Sequence, residues 1–197
     1  MKESQEKIER HPLSPFCPPH SKLLMLGSFP PPIKRWSMNF FYPNFQNDMW
    51  RIFSLIFTEE KNSFIDLANK SFKLEDIIQL LNQYGIALYD AATAVVRLQE
   101  NASDKFLKII EPTDIETLLQ RQLPECYTIV STGQKSTEIL SIQYGFTIPK
   151  LGSSTIVKIG DKDIRFYRMP SSSRAYPLAV EKKAEFYKKM FLEIGIL

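Results

Sequence analysis

Four short apolar runs, each closed by turn-forming residues and separated from the next by a stretch of helical spacing, constrain this chain more than any other feature. They are residues 22–26, ending at Gly27; Ile86–Asp90; residues 127–130, soon followed by Gly133; and residues 164–169. Between the first two, apolar residues recur at Met49, Trp50, Ile52, Phe53, Leu55 and Ile56, after Asn47 or Asp48, either of which suits a helix N-cap. Leu74–Tyr84 repeats that spacing and stops at Gly85. Thr113-Asp-Ile-Glu116 has the form of a capping box opening a helix through Leu119. Further helices are expected from Gly133 to about Tyr144 and from about 177 to 192. Ser154–Ile159 and residues 164–169 flank Gly160-Asp161-Lys162-Asp163, which reads as a hairpin or a tight strand connection. Strands alternating with helices predict an α/β fold, a three-layer α/β/α domain with a mainly parallel four-stranded central sheet.

The chain has 197 residues, 44% of them hydrophobic and 24% charged, with a net charge of +3. That length and composition suit one globular domain and exclude disorder over most of the chain. No apolar run approaches the roughly 18 residues a membrane span needs. The first ten residues, MKESQEKIER, carry no apolar signal-peptide core. Residues 1–21 are polar and Pro-rich and are expected to form an extended arm; residues 22–197 form the single domain. Two cysteines, Cys17 and Cys126, supply neither a disulfide framework nor the ligands of an iron–sulfur cluster. A cytoplasmic, soluble monomer is the expectation. Residues 158–189 hold nine Lys or Arg against four Asp or Glu, either a solvated face or one end of a phosphate-binding surface.

Sheets of this kind place their sites beyond the carboxyl ends of the strands. That rule nominates the loops after Leu26, Leu88, Val130 and Met169. The chain has no phosphate loop, no G-x-G-x-x-G, no G-x-S-x-G and no H-E-x-x-H. Its two histidines, His11 and His20, both fall in the arm, so a catalytic histidine is not expected. With Cys17 they make only three irregularly spaced local ligands, and neither a metal site nor a cofactor is expected. The chemistry is left to carboxylates, amides, hydroxyls and backbone groups.

Three segments, with a fourth beside them, carry a resemblance. The first is Leu23-Leu-Met-Leu-Gly-Ser-Phe-Pro-Pro31, followed by Phe40-Phe-Tyr-Pro-Asn-Phe-Gln-Asn-Asp-Met-Trp-Arg51; the second is Gly85-Ile-Ala-Leu-Tyr-Asp90; the third is Met169-Pro-Ser-Ser-Ser-Arg-Ala175. Thr132-Gly-Gln-Lys-Ser136 is the fourth. Together, over roughly residues 22–192, they resemble the uracil-DNA glycosylase superfamily. The nearest branch is that of the mismatch-specific and hypoxanthine-DNA glycosylases, whose proteins read Gly-Ser-x-Pro-Gly and then Tyr-Tyr-x-x-Pro-x-Asn-x-Phe-Trp.

The resemblance implies a DNA glycosylase that flips out a deaminated base, uracil or hypoxanthine, and hydrolyses its glycosidic bond, with DNA as partner and no cofactor. A flipped base costs a few kcal/mol of unstacking, recovered by stacking on an aromatic ring and reading the base edge. Among Phe40, Phe41 and Tyr42, the resemblance favours Phe41 or Tyr42 for the platform. Gly27, Ser28 and Phe29 would aim backbone N–H groups at the base oxygens, like an oxyanion hole. Asp90 matches the superfamily's base-reading position; the alternative is a cap on neighbouring backbone. Phe29 stands where most of the superfamily has a water-activating Asp or Asn and cannot bond water. Asn47, three residues before Trp50, is then the catalytic candidate, and a plain N-cap is its alternative role. Ser171, Ser172, Ser173 and Arg174, read as lying at a helix start, resemble the loop that pinches the DNA backbone. Lys135 and Ser136 would bind phosphate on the same face. Two other readings stay open: a nucleic-acid-binding protein that kept the fold without the chemistry, and a nucleoside or nucleotide hydrolase.

Overall fold

A computed structural model describes residues 7–98 and 104–197. Among these residues the strands are β1 (Ile8–Arg10), β2 (Leu23–Gly27), β3 (Ile65–Asp66), β4 (Ser71–Phe72), β5 (Ile86–Asp90), β6 (Ala92–Arg97), β7 (Leu107–Pro112), β8 (Thr128–Ser131), β9 (Ser154–Ile159) and β10 (Lys162–Arg168). The α-helices are α1 (Met49–Thr58), α2 (Leu74–Tyr84), α3 (Ile115–Arg121), α4 (Gln134–Tyr144) and α5 (Val180–Glu193).

The central sheet has the order β5-β2-β8-β10-β9, flanked by helices. Its first four strands are mutually parallel, and β9 runs antiparallel along β10. The expected four parallel strands are therefore joined by a fifth. The hairpin closes because Gly160 sits at φ 56, a left-handed conformation that costs glycine no steric penalty. Every residue of β2 is buried, as expected for an inner parallel strand covered on both faces. α1 packs on α5 through Phe53 and Phe191, whose ring centroids lie 5.7 Å apart, and Trp50 is fully buried beneath them.

Helix ends follow local chemistry. α2 stops at Gly85, φ 62, and a Cβ there would meet the His20 carbonyl at 2.9 Å. At α3 the cap is Asp114, whose carboxylate accepts the Thr117 N–H at 3.0 Å, not Thr113. The Thr113 hydroxyl instead donates to the Asp90 carbonyl at 2.7 Å, tying α3 to the end of β5. α5 begins at Val180, not near Pro177.

A second, antiparallel sheet, β1-β6-β7, has no counterpart in the sequence reading. It is built on the segment expected to be an arm, of which residues 1–6 lie outside the described residues. Ile8 stands opposite Val96, and His11 N–H donates to Thr93 O at 2.8 Å. Farther along, Phe16 and Leu88 exchange two backbone hydrogen bonds of 3.0 and 2.9 Å. These bonds cover the open edge of β5, which would otherwise present unpaired backbone.

Candidate functional site

β2 and β8 lie side by side, while the chain leaves β2 toward β5 on one flank and leaves β8 toward β10 on the other. That reversal opens a crevice at the carboxyl ends of the strands. A cleft of about 890 Å³ sits there and draws on all four nominated loops, with Ser28, Tyr42, Asp90, Thr132 and Ser173 among its walls. Loop and strand are stitched by the Thr132 N–H, which donates to Leu26 O at 3.0 Å.

Gly27 ends β2 directly beneath Asp90. A Cβ at Gly27 would collide with Asp90 Oδ1, so glycine lets the carboxylate lie across the strand end. Asp90 Oδ2 is hydrogen-bonded to His11 Nε2 at 2.8 Å, and the His11 side chain is 2% exposed. Among the described residues no protein donor reaches Asp90 Oδ1, which faces the cleft. His11 thus belongs to the site although the sequence sets it aside in the arm. No local pattern marks it; only the pairing of residues 8–10 with residues 94–96 brings it there.

Ser28 is buried, and its hydroxyl donates to Asp104 Oδ2 at 2.6 Å. Desolvation of the Asp104 carboxyl raises its pKa; the Ser28 hydrogen bond opposes this and the Asp90 charge adds to it. Phe29 is buried against Ala92, Val95 and Leu107 of the second sheet, with the Arg97 guanidinium 5.7 Å from its ring centre. Phe41 is only 4% exposed, and its carbonyl accepts the Trp50 indole N–H at 3.2 Å. Tyr42 is less buried and is held at φ 50, an uncommon conformation for a bulky residue. Its hydroxyl lies 3.0 Å from Thr132 Oγ1. Burial, helped by the Asp90 charge, drives the Tyr42 phenol well above its usual pKa, so it stays a neutral hydrogen-bonding group.

Asn47 lines the cleft, and its Oδ1 accepts the Met49 N–H at 2.9 Å at the start of α1. Asp48 is the N-cap residue of α1 and makes no side-chain cap bond, so Asn47, one residue ahead, supplies the acceptor for the first N–H of the helix, while its amide nitrogen has no partner among the described residues. Lys135 also lines the cleft and makes no ion pair there among the described residues. Ser136 is buried, and its hydroxyl donates to Gly133 O at 3.1 Å, inside the first turn of α4.

The Ser171–Arg174 segment is not at a helix start. Six residues separate Ser173 from Val180, and the serines form their own turns: Ser171 Oγ accepts the Ser173 N–H at 3.1 Å, and Ser173 Oγ accepts the Ala175 N–H at 3.3 Å. Ser172 is buried, and its carbonyl accepts the Asp48 N–H at 2.8 Å. Arg174 is half-exposed on the rim, with Nε 3.3 Å from Asp48 Oδ1. Asp48 also meets the buried Lys183. This anchor was missed because its charges are far apart in sequence.

No protein-family model matches the chain, and comparison with curated proteins finds no match. Among solved structures the chain is similar to the solution NMR structure of a protein from Methanosarcina acetivorans described as a "putative Uracil DNA glycosylase". Identity is 21%, coverage is 96% of this chain and 99% of that one, and the TM-score is 0.63. The fold is uracil-DNA-glycosylase-like.

On this uracil-DNA-glycosylase-like fold the basic stretch of residues 158–189 does not make one surface. Lys183 is buried, Lys182 and Lys189 pair with Glu185 and Glu193 along α5, and Lys162 lies over the Tyr127 ring at the far end of the sheet. The cations at the cleft are Arg35, Lys105, Lys135 and Arg174, facing Asp90, Asp104 and Glu138. No helix among the described residues is long and apolar enough to cross a membrane.

Proposed function

We propose that this chain is a monofunctional DNA glycosylase that flips a deaminated base, uracil or hypoxanthine, into the cleft and hydrolyses its glycosidic bond, leaving an abasic site. The observation that carries this reading is the Asp90 carboxylate oxygen that no donor reaches among the described residues, at the floor of a strand-end cleft beside Tyr42 and the Gly27–Ser28 backbone. A carboxylate only accepts hydrogen bonds. Uracil and hypoxanthine present a ring N–H where cytosine and adenine present a bare acceptor nitrogen. Asp90 Oδ1 would pair with the former and repel the latter, which separates uracil from cytosine and hypoxanthine from adenine; thymine and guanine carry the same ring N–H, so their rejection rests on the other walls of the cleft.

Tyr42, whose ring packs edge-on against Trp50, and Phe41 supply the aromatic wall on which the flipped ring stacks. Backbone N–H groups of Ser28 and Phe29 stabilise the oxygens of the departing base as negative charge builds on it. Asn47 holds water near the anomeric carbon through its unpartnered amide nitrogen and the second lone pair of Oδ1. The bond from sugar to base breaks with its electron pair leaving on the base, the water oxygen bonds to the sugar, and the released proton neutralises the base through solvent. An amide takes no proton at neutral pH, so Asn47 positions and polarises. Arg174 and Lys135 bind the flanking phosphates.

Purified protein in excess over duplex and single-stranded oligonucleotides bearing uracil, hypoxanthine, xanthine or a thymine mismatch tests this. Alkali-labile scission at the uracil or hypoxanthine position is the expected result. No scission on any substrate, with DNA binding retained, would leave a binding protein on this fold and overturn the enzymatic reading.

A further inference from the structure

We infer that His11, from the strand-pairing segment ahead of the domain, is a positioning residue for base recognition, holding the Asp90 carboxylate so that Oδ1 alone is offered to the flipped base. This rests on the glycosylase reading above and adds to it a residue that none of the resembling motifs contains.

The argument starts with the imidazole. His11 Nδ1 lies 2.8 Å from Leu13 O and 3.1 Å from Leu13 N. A ring protonated only at Nε2 accepts the Leu13 N–H at Nδ1; a doubly protonated ring donates from Nδ1 to the Leu13 carbonyl. In both charge states the Leu13 backbone satisfies Nδ1, and in both Nε2 carries a proton toward Asp90 Oδ2 at 2.8 Å. Leu13 thus suits Nδ1 with or without a proton, and the proton on Nε2 is set by the Asp90 carboxylate, which accepts hydrogen bonds only.

The ring itself cannot swing. It lies between Phe29, Phe41 and Tyr89, with centroids at 5.5, 6.2 and 4.7 Å. Its backbone is fixed by the bond to Thr93 O and by β1, where Arg97 Nε pairs with Glu9 at 3.0 Å. Asp90 is gripped from two sides in consequence. His11 holds Oδ2, and the bare Cα of Gly27 makes the space into which Oδ1 projects. An Asp without these neighbours would sample other rotamers, and each of them would aim its oxygens away from the base edge. His11 reaches no part of the cleft surface, so it acts through Asp90.

The test is single-turnover excision by the full chain carrying His11→Leu, His11→Gln, Asp90→Ala and the His11→Leu/Asp90→Ala pair, with DNA affinity and melting temperature measured alongside. His11→Leu should slow excision by about 10- to 100-fold, the scale of a misplaced reacting group, with DNA affinity unchanged. His11→Gln, whose amide can donate toward Oδ2, should restore most of the rate. In the Asp90→Ala background, His11→Leu should have no further effect on whatever rate remains, because the group it positions is gone. A purely structural His11 gives a different pattern: both backgrounds slow equally, and the loss tracks melting temperature. That pattern, or a full rate in His11→Leu protein, overturns the proposal while leaving the glycosylase intact. Wild-type protein that excises no base overturns the function and the role of His11 together.

Discussion

Lys183 Nζ lies 3.1 Å from Asp48 Oδ2 with its side chain wholly withdrawn from solvent, so a buried ion pair joins α5 to the residue just ahead of α1. The same ammonium donates to the Ser173 carbonyl at 2.8 Å, and the other oxygen of Asp48 takes Arg174 Nε at 3.3 Å. The Asp48 N–H donates to Ser172 O. Asp48 therefore holds the rim loop directly at Ser172 and Arg174, and its partner Lys183 holds it at Ser173. The placement of that loop over the cleft is a consequence of α5 packing on α1.

Removing one member of a buried pair strands the other, at a cost of about 3–5 kcal/mol. Lys183→Met should destabilise the protein by about 3 kcal/mol, the lower end of that range, because Arg174 still faces Asp48. Lys183→Met combined with Asp48→Leu should recover part of the loss, since no charge is then left buried alone. Urea denaturation of the three proteins reads this directly. Wild-type stability in the single variant would mean that the pair contributes nothing.

Arg174 keeps most of its guanidinium free at the rim while its Nε is oriented by Asp48. Arg174→Ala should weaken duplex binding for all sequences alike and lower the slope of log affinity against log salt by about 1, the signature of one lost phosphate contact. Fluorescence anisotropy at several salt concentrations measures both. An unchanged slope would remove the rim loop from the DNA interface.

The parallel strands were legible because each is a short apolar run buried on both faces and closed by a turn, as Leu23–Gly27 shows. The ends of those runs also located the cleft, since position at a strand end follows from topology alone. The second sheet was not legible. β6, Ala92–Arg97, follows β5 after a single residue, and its partner Ile8–Arg10 lies in a polar stretch whose strand character exists only once the two are paired. His11 and the contact between Asp48 and Lys183 were hidden for the same reason: both are pairings across 79 and 135 residues that leave no periodic trace. Ser136 and Ser171–Arg174 were read as free donors because residue type records chemistry and not occupancy. The Ser136 hydroxyl already donates to Gly133 O, and the Ser173 and Ala175 N–H groups are already taken by Ser171 Oγ and Ser173 Oγ.

Gly27 tests the shape of the cleft floor without touching its charges. Its backbone is not left-handed, so alanine is disfavoured there only by the collision of a Cβ with Asp90 Oδ1. Because His11 holds the carboxylate, the clash is not relieved by a simple rotation. Gly27→Ala should cost about 1–3 kcal/mol of stability, as overpacking does. It should slow excision by roughly 100-fold by displacing the reading oxygen. In an Asp90→Ala background the stability cost should vanish, since the clashing atom is gone. Thermal melts of the two pairs of proteins decide it.

Asn47 separates the catalytic reading from the structural one most sharply, because the structure gives its two amide atoms different surroundings. Oδ1 accepts the Met49 N–H at 2.9 Å, which a helix start needs, and Nδ2 is left toward the cleft. Asn47→Ala should therefore lose about 1 kcal/mol of stability as a cap. If Asn47 also positions the attacking water, the single-turnover rate should fall by roughly 100- to 1000-fold, the cost of one positioned hydrogen bond, while DNA affinity changes little. Asn47→Asp keeps the acceptor for Met49 and so keeps the cap. It replaces the amide donor by a second acceptor oxygen, which can still take a hydrogen bond from water and stabilises a cationic sugar. Its rate should equal or exceed that of the wild type. A protein with Asn47→Ala that excises at full rate, measured well below its melting temperature, would leave Asn47 a cap and nothing more.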